Sequence, residues 1–297
     1  MIPILNTLRN IVVGADLQAA SSRTLTLAAE LARGANANLH LVHAAAQSEA
    51  YKPTAAGRHD DEFDDARRAL DIIRSRLADE QVSIASAECF ASGRPEDRLL
   101  ERANDVSADL IVVGSTAREG HGHRLGSTAD RLVRAGEHAV LVVRGETPTS
   151  VRRVAILTDF SEGAKAVARQ GVAWLPSLMS SAHTSPGDGA LQVDFVHAGD
   201  ERVLVMDATV EAWSRQRLDE EVGHLKSHVP AGIGVRQRLL WGTHPVDTIE
   251  SAAVEHAWHL IVVGTHGKGT LTRWVVGSVA IGLCQGAPCP VVVMPPR

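Results

Sequence analysis

The chain contains its own sequence twice. Arg9-Asn-Ile-Val-Val-Gly-Ala-Asp16 returns as Arg152-Arg-Val-Ala-Ile-Leu-Thr-Asp159, and Leu39-His-Leu-Val-His-Ala44 returns as Val193-Asp-Phe-Val-His-Ala198. Leu110-Ile-Val-Val-Gly114, Gly126-Ser127 and Val140-Leu-Val-Val143 return as Leu260-Ile-Val-Val-Gly264, Gly277-Ser278 and Val291-Val-Val-Met294. The order is the same in both halves. The step from Ser127 to Val140 equals the step from Ser278 to Val291, 13 positions each. Such a duplication restricts the fold to one that each half makes for itself. The polar segment Gly145-Glu-Thr-Pro-Thr-Ser150 has linker character and separates domains at residues 1–146 and 151–297.

Within a half, short apolar runs alternate with helical patterns. The runs at 11–15, 39–44, 110–114 and 140–143 are brief and β-branched, as expected of strands buried on both faces. Phe63, Arg67, Leu70, Ile73 and Leu77 fall at steps of three and four along one helical face, and Leu99, Ala103 and Val106 mark another helix. Aromatic residues make up only 3% of the chain, so Ala, Val, Leu and Ile must build the cores. Alternating strands and helices predict an α/β fold: two tandem Rossmann-like domains, each an open, doubly wound parallel sheet of about five strands. The third strand of each is expected around Val82–Ile84 and Val235–Leu240. From Asp16 to His43 is 27 positions, but from Asp159 to His197 is 38; the extra residues, Ser177–Gly189, read as a polar surface loop.

Composition excludes several classes of function. The net charge is -5 and no basic stripe is present, so nucleic acid is not an expected partner. No apolar run approaches the ~18 residues of a membrane helix, and the first ten residues do not form a secretory signal. Three cysteines, Cys89, Cys284 and Cys289, are too few for a disulfide framework and lack zinc-knuckle spacing; Cys284 and Cys289 read as small buried hydrophobes. The expected compartment is the reducing cytoplasm.

In an open parallel sheet, ligands bind beyond the carboxyl ends of the strands. The richest sequence there follows the fourth strand of the second half: Gly264-Thr-His-Gly267, then nine residues, then Gly277-Ser278-Val279. Glycines let backbone approach a ligand closely, and a helix start offers free N–H groups with a positive dipole end. Ser278 is placed to cap that helix or to hydrogen-bond a phosphate. Gly267-Lys-Gly-Thr270 fails the P-loop spacing, and no GxGxxG follows the first strand.

The pattern Gly-x2-Gly-x9-Gly-Ser after a Leu-Ile-Val-Val strand resembles the ATP-binding signature of the universal stress protein family. Asp159, the Val-His-Ala198 strand and the Pro-Cys-Pro-Val-Val-Val ending are similar to that family as well. The resemblance covers nearly the whole chain, once per half. It implies sheets of strand order 3-2-1-4-5, a pseudo-dimer of the two copies, and binding of ATP, with or without Mg, where the signature is intact. By the same resemblance, Asp159 meets the adenine and Ala198, just past the second strand, offers its backbone to the base. Gly264, Thr265, His266 and Gly267 line ribose and phosphates, and Gly277, Ser278 and Val279 hold the phosphates. Lys268 and Arg273 are either charge partners or solvated. The first half keeps Asp16, Gly114, Gly126 and Ser127 but has Ala117 for the second glycine and eight residues, not nine, before Gly126. It is expected to bind nucleotide weakly or not at all.

Other features read more plainly. His121 and His123 form an HxH with no third ligand at a set spacing, His59 with Asp60 and Asp61 being the only candidates, so no metal site is expected. The acidic run His59–Asp65 suits a helix start. His43 and His197 recur at one place in both copies, which suits a structural role. No nucleophile elbow, triad or HExxH is present, so no catalytic residues are assigned. The leading expectation is an ATP-binding stress-response module that forms homo-oligomers and meets an unidentified protein partner. The alternatives are a nucleotide-free scaffold, whose strand 140–143 pairs with 291–294 or with another chain, and a slow ATP-hydrolysing enzyme.

Overall fold

The computed structural model describes residues 8–17, 21–44, 58–115, 125–145, 150–182, 190–265 and 276–296. The first half runs β1 (Asn10–Gly14), α1 (Ser21–Ala35), β2 (Asn38–Ala44), α2 (Arg58–Asp79), β3 (Ile84–Phe90), α3 (Pro95–Asp105), β4 (Leu110–Gly114), α4 (Ser127–Ala135) and β5 (Ala139–Val143). The second runs β6 (Arg153–Leu157), α5 (Glu162–Ala182), β7 (Gln192–Asp200), α6 (Glu201–Met206), α7 (Thr209–Lys226), β8 (Gly234–Gly242), α8 (Pro245–Glu255), β9 (Leu260–Gly264), α9 (Ser278–Gly286) and β10 (Val291–Met294). Both halves have the order 3-2-1-4-5, and they join into one ten-stranded sheet, β3-β2-β1-β4-β5-β10-β9-β6-β7-β8.

Alternation along each strand builds two cores. Ile11, Val13, Leu110, Val112, Val154, Ile156, Leu260 and Val262 face the layer of α1, α2, α5 and α7. Val12, Ile111, Val113, Ala155, Ile261 and Val263 face the layer of α3, α4, α8 and α9. The inner strands are covered on both sides, hence their near-continuous apolar runs, whereas the edge strands β3 and β8 are only partly buried. Among the described residues, no helix is long and apolar enough to cross a membrane.

The halves meet where β5 and β10 pair antiparallel, with Val142 opposite Val291, Leu141 opposite Val292 and Val140 opposite Val293. Each half's edge strand is thereby consumed by the other. Across this seam, Arg144 donates from Nε to the carbonyl of Ala287 and from its guanidinium to that of Cys284, both at 2.7 Å. It thus satisfies carbonyls at the end of a helix in the other half. Gly145 follows at φ 61, and a Cβ there would lie 2.0 Å from the Pro288 carbonyl oxygen. Gly145→Ala is therefore expected to lower stability by at least about 1–2 kcal/mol in urea denaturation; an unchanged midpoint would count against so tight a seam.

Three expectations are corrected. Val82 is not part of the third strand, which begins at Ile84. Gln81 takes a left-handed conformation (φ 63), the Val82 amide donates to Leu77, and Val82 itself is buried. This is the hydrophobic contact of a Schellman stop, repeated after α1, α3 and α8 with Asn36, Ser107 and Ala257 left-handed and Ala37, Ala108 and Trp258 buried. Ser177–Ala182 are not loop but the end of α5, whose Trp174, Leu175 and Leu178 are buried at helical spacing on either side of Pro176; residues 183–189 lie outside the described residues. Ala198 lies inside β7, not past it, because β7 and β8 stay paired to Asp200–Gly242.

Candidate functional site

At the carboxyl end of the second half's strands, β6 is flanked by β9 on one side and β7 on the other, so the connections leave to opposite faces and open a crevice. The turn leaving β6 is built by its own side chains. Asp159 Oδ1 accepts the Ser161 amide at 3.0 Å, and Ser161 Oγ, at the N-cap of α5, accepts the Ala164 amide at 3.1 Å. Phe160 between them is buried at φ 66, a conformation unusual for a bulky residue. Leu17 after Asp16 repeats it at φ 57.

The recurring histidines serve this turn. His197 Nδ1 lies 2.9 Å from the Thr158 carbonyl oxygen, and His43 Nδ1 lies 2.6 Å from that of Ala15. A carbonyl only accepts, so each ring donates from Nδ1 and pins the end of the first strand to the second. The His197 ring also stacks on Phe160 with centroids 4.2 Å apart, and Trp213 and Trp241 approach edge-on. In a chain this poor in aromatics, the crevice has gathered an aromatic cluster. Phe160, Trp213 and Trp241 were not singled out from the sequence; the one available signal was that Phe160 directly follows Asp159.

Ala198 presents backbone to the crevice. The Val196 carbonyl accepts the Thr158 amide, so Val196 turns its polar groups toward β6. Strand alternation gives Ala198 the same side, and β6 has already ended there.

On the other flank, the Thr265 amide donates to Met294 and the Gly277 amide donates to the Thr265 carbonyl at 2.7 Å. This bond draws the end of β9 against the start of α9, bringing Gly264, Thr265, Gly277, Ser278 and Val279 together. Gly277 is the N-cap, with no side-chain cap. Ser278 is the first helical residue, so of the two roles expected for it the cap is not taken; Gly277 holds that place with an extended backbone. A Cβ on Gly277 would come no nearer than 3.6 Å to the Thr265 oxygen, so the described residues leave space there. The first half makes the same closure, with Gly126 donating to Ser115 and no side chain capping α4. The first turns differ: Asp130, paired with Arg134, stands in that of α4, whereas that of α9 has no acidic residue.

His266, Gly267, Lys268 and Arg273 lie outside the described residues, as do Ala117, His121 and His123. Asp16, Gly114, Gly126 and Ser127 take places equivalent to those of the second half. His59, Asp60 and Asp61 open α2. Among the described residues, no three His, Cys, Asp or Glu side chains gather as a metal cluster. Cys284 and Cys289 are buried, and burial pushes both thiols up to about 12, which leaves them poor nucleophiles.

One more group faces the β6 turn. Glu221 of α7 is 7% exposed, and its Oε2 accepts the Thr158 hydroxyl at 3.0 Å. Burial raises its pKa above the ordinary glutamate value. In the sequence it sits in the run Asp219-Glu-Glu221, which reads as a solvated helical face.

A family model described as the universal stress protein family matches residues 7–144 and again 150–295. Universal stress protein A homolog 2 of Coxiella burnetii is 32% identical over 143 residues, covering 46% of this chain and 94% of that protein. A universal stress protein from Archaeoglobus fulgidus has a similar structure, with a TM-score of 0.67 at 15% identity over 97% of this chain and 98% of that one. A further such structure, from Pseudomonas aeruginosa, has a TM-score of 0.66 at 15% identity over 97% and 94% of the two chains.

Proposed function

Since the chain belongs to the universal stress protein family, we propose that its second domain, residues 151–297, binds ATP in the crevice between the β6 turn and the start of α9. Asp159 and the backbone of Ala198 take the nucleoside end. Gly264, Thr265, His266 and Gly267 line the ribose and phosphates, and Gly277, Ser278 and Val279 hold the phosphates. The first domain, residues 1–146, offers at most a weak second site at Asp16, Gly114, Gly126 and Ser127. Its principal role is to complete the sheet. Nucleotide occupancy in the second domain then alters contacts with a protein partner or with a further copy of the chain.

The observation that carries this reading is the start of α9. The bond from Gly277 to Thr265 holds its free amides against the strand end, and among the described residues no side chain caps or opposes them and Gly277 leaves room for a ligand. Those features suit a polyphosphate bound by backbone N–H groups. The aromatic cluster of Phe160, His197 and Trp241 at the other end suits a flat base. Of the two pairings that the scaffold alternative allows for strand 140–143, the one with 291–294 is made within the chain, so this strand is not open to a second chain.

Isothermal calorimetry with ATP, with and without magnesium, tests the reading. One nucleotide per chain is expected, and a co-crystal should show it in the second half. No binding, or equal occupancy of both halves, would overturn it.

A further inference from the structure

The two copies differ in the pair of residues that stands behind the site turn. Leu70 and Leu77 of α2 are buried seven residues apart, as are Leu218 and Leu225 of α7. Matching them places Ile73 where α7 has Glu221. Matching Asp16 with Asp159 places Ala15 where the second copy has Thr158. Ala15 lies in the apolar core of the first copy and Ile73, partly buried, packs against that core, whereas Thr158 and Glu221 form a buried hydrogen bond. The fold is therefore complete with an apolar pair, and a buried acid is the less favourable choice for stability alone.

The acid is tied to the site turn. Thr158 Oγ1, which donates to Glu221, also accepts the amide of Phe160 at 3.0 Å. The Thr158 carbonyl holds His197, and Asp159 holds the Ser161 amide. Glu221 Oε1 is buried and has no hydrogen-bond partner among the described residues. Leu17 reaches its left-handed conformation without such a pair, so the pair does not create the turn; it restrains it.

We infer that Glu221 is a positioning residue: acting through Thr158, it locks the Thr158–Ser161 turn that presents Asp159 to nucleotide in the second domain. The inference rests on the ATP reading for its ligand but not for the lock itself. The groups around Glu221 are Thr158 and Asp159 at the end of β6, Lys165 of α5 and Arg217 of α7. Burial and Asp159 favour the protonated acid, and the Thr158 hydrogen bond, Lys165 and Arg217 favour the carboxylate, with burial prevailing. The folded protein thus holds this proton more tightly than the unfolded chain does. Its contribution is complete below the ordinary glutamate range and is lost as the pH rises through the raised value.

The test uses the full chain and three forms: wild type, the double variant Thr158→Ala/Glu221→Ile, and Glu221→Gln. The double variant reproduces the pair of the first copy and is expected to fold with a Tm no lower than that of the wild type. Without ligand, amide exchange at Phe160 and Ser161 is expected to be about tenfold faster in the double variant, the effect of losing one net hydrogen bond. ATP affinity by calorimetry is expected to fall about tenfold in the double variant. Glu221→Gln, which keeps an acceptor for Thr158, is expected to retain amide exchange and ATP affinity close to those of the wild type. Unchanged amide exchange overturns the lock whether or not ATP binds. Faster exchange with unchanged ATP affinity overturns its link to the site. Faster exchange in a protein that binds no ATP supports the lock and rejects the ATP reading.

Discussion

Gly277→Val is expected to weaken ATP binding by about a hundredfold or more, while the matched Gly126→Val leaves it unchanged. The size follows from the loss of two or more charge-assisted hydrogen bonds from backbone amides to phosphate, each contributing about 1.5–3 kcal/mol. The backbone at Gly277 (φ -60, ψ 144) is extended and admits valine without strain. A first side-chain atom there would lie 3.6 Å from the Thr265 oxygen, an ordinary contact. The domain should therefore fold, with a Tm close to that of the wild type, and lose only the space into which a ligand fits. Gly126 has the same backbone geometry (φ -63, ψ 149) at the same kind of helix start, so it controls for any general effect on the cap. Calorimetry and thermal melting on both variants decide the matter. Equal losses in the two would mean that the copies share the ligand, and no loss in Gly277→Val would remove the phosphate site from α9.

The second large effect is on stability. Asp194 of β7 is 3% exposed beneath α8 and accepts hydrogen bonds from Trp258 Nε1 and Gln192 Nε2, each at 2.9 Å, and from Arg238 of β8. Arg238 also donates to His256 Nε2 at 3.0 Å. Burial pushes the Asp194 carboxyl up, but the hydrogen bonds from Trp258, Arg238 and Gln192 and the Arg238 charge outweigh it, leaving the pKa below the ordinary value. Arg238→Met removes the counter-charge and leaves the carboxylate buried. The expected loss is about 3–5 kcal/mol in urea denaturation. The sign with pH is fixed by the same shift. A depressed carboxylate stabilises above its unfolded pKa, and that contribution is lost as the pH falls through the folded value. Wild-type stability should therefore drop on acidification, and the gap between wild type and Arg238→Met should narrow as Asp194 becomes protonated. A variant within about 1 kcal/mol of the wild type would mean that Trp258 and Gln192 suffice.

How far the chain could be read without its structure varies from element to element. The strands of both copies were legible because burial on both faces demands uninterrupted Val, Ile and Leu. Val82 misled because the hydrophobic contact of a helix stop and the first residue of a strand are both single buried apolar residues. The end of α5 misled because Ser and Pro at 176–181 are turn residues by composition, while Leu175 and Leu178 kept a helical face buried. Asp194 and Glu221 gave no signal, since a carboxylate in a sequence reads as exposed until its buried partners are known. For the site, Gly264, Gly277 and Ser278 stood out by spacing. A cap was one of two roles open to Ser278 because serine is the commoner N-cap, whereas here the turn places Gly277 there.

By itself, the sequence determined that the protein is a duplicated α/β chain, with one copy keeping a complete glycine spacing and the other not. Those are properties of residue order, and periodicity and repetition are visible in order alone. Tertiary structure decided what depends on residues far apart in the chain: that the two sheets are one, joined β5 to β10; that His43 and His197 pin strand ends; that Gly277 closes onto Thr265; and that Glu221, 63 positions from Thr158, reaches the site turn. Each is a contact between polar groups whose energetic meaning is set by burial, and burial is a property of the folded chain.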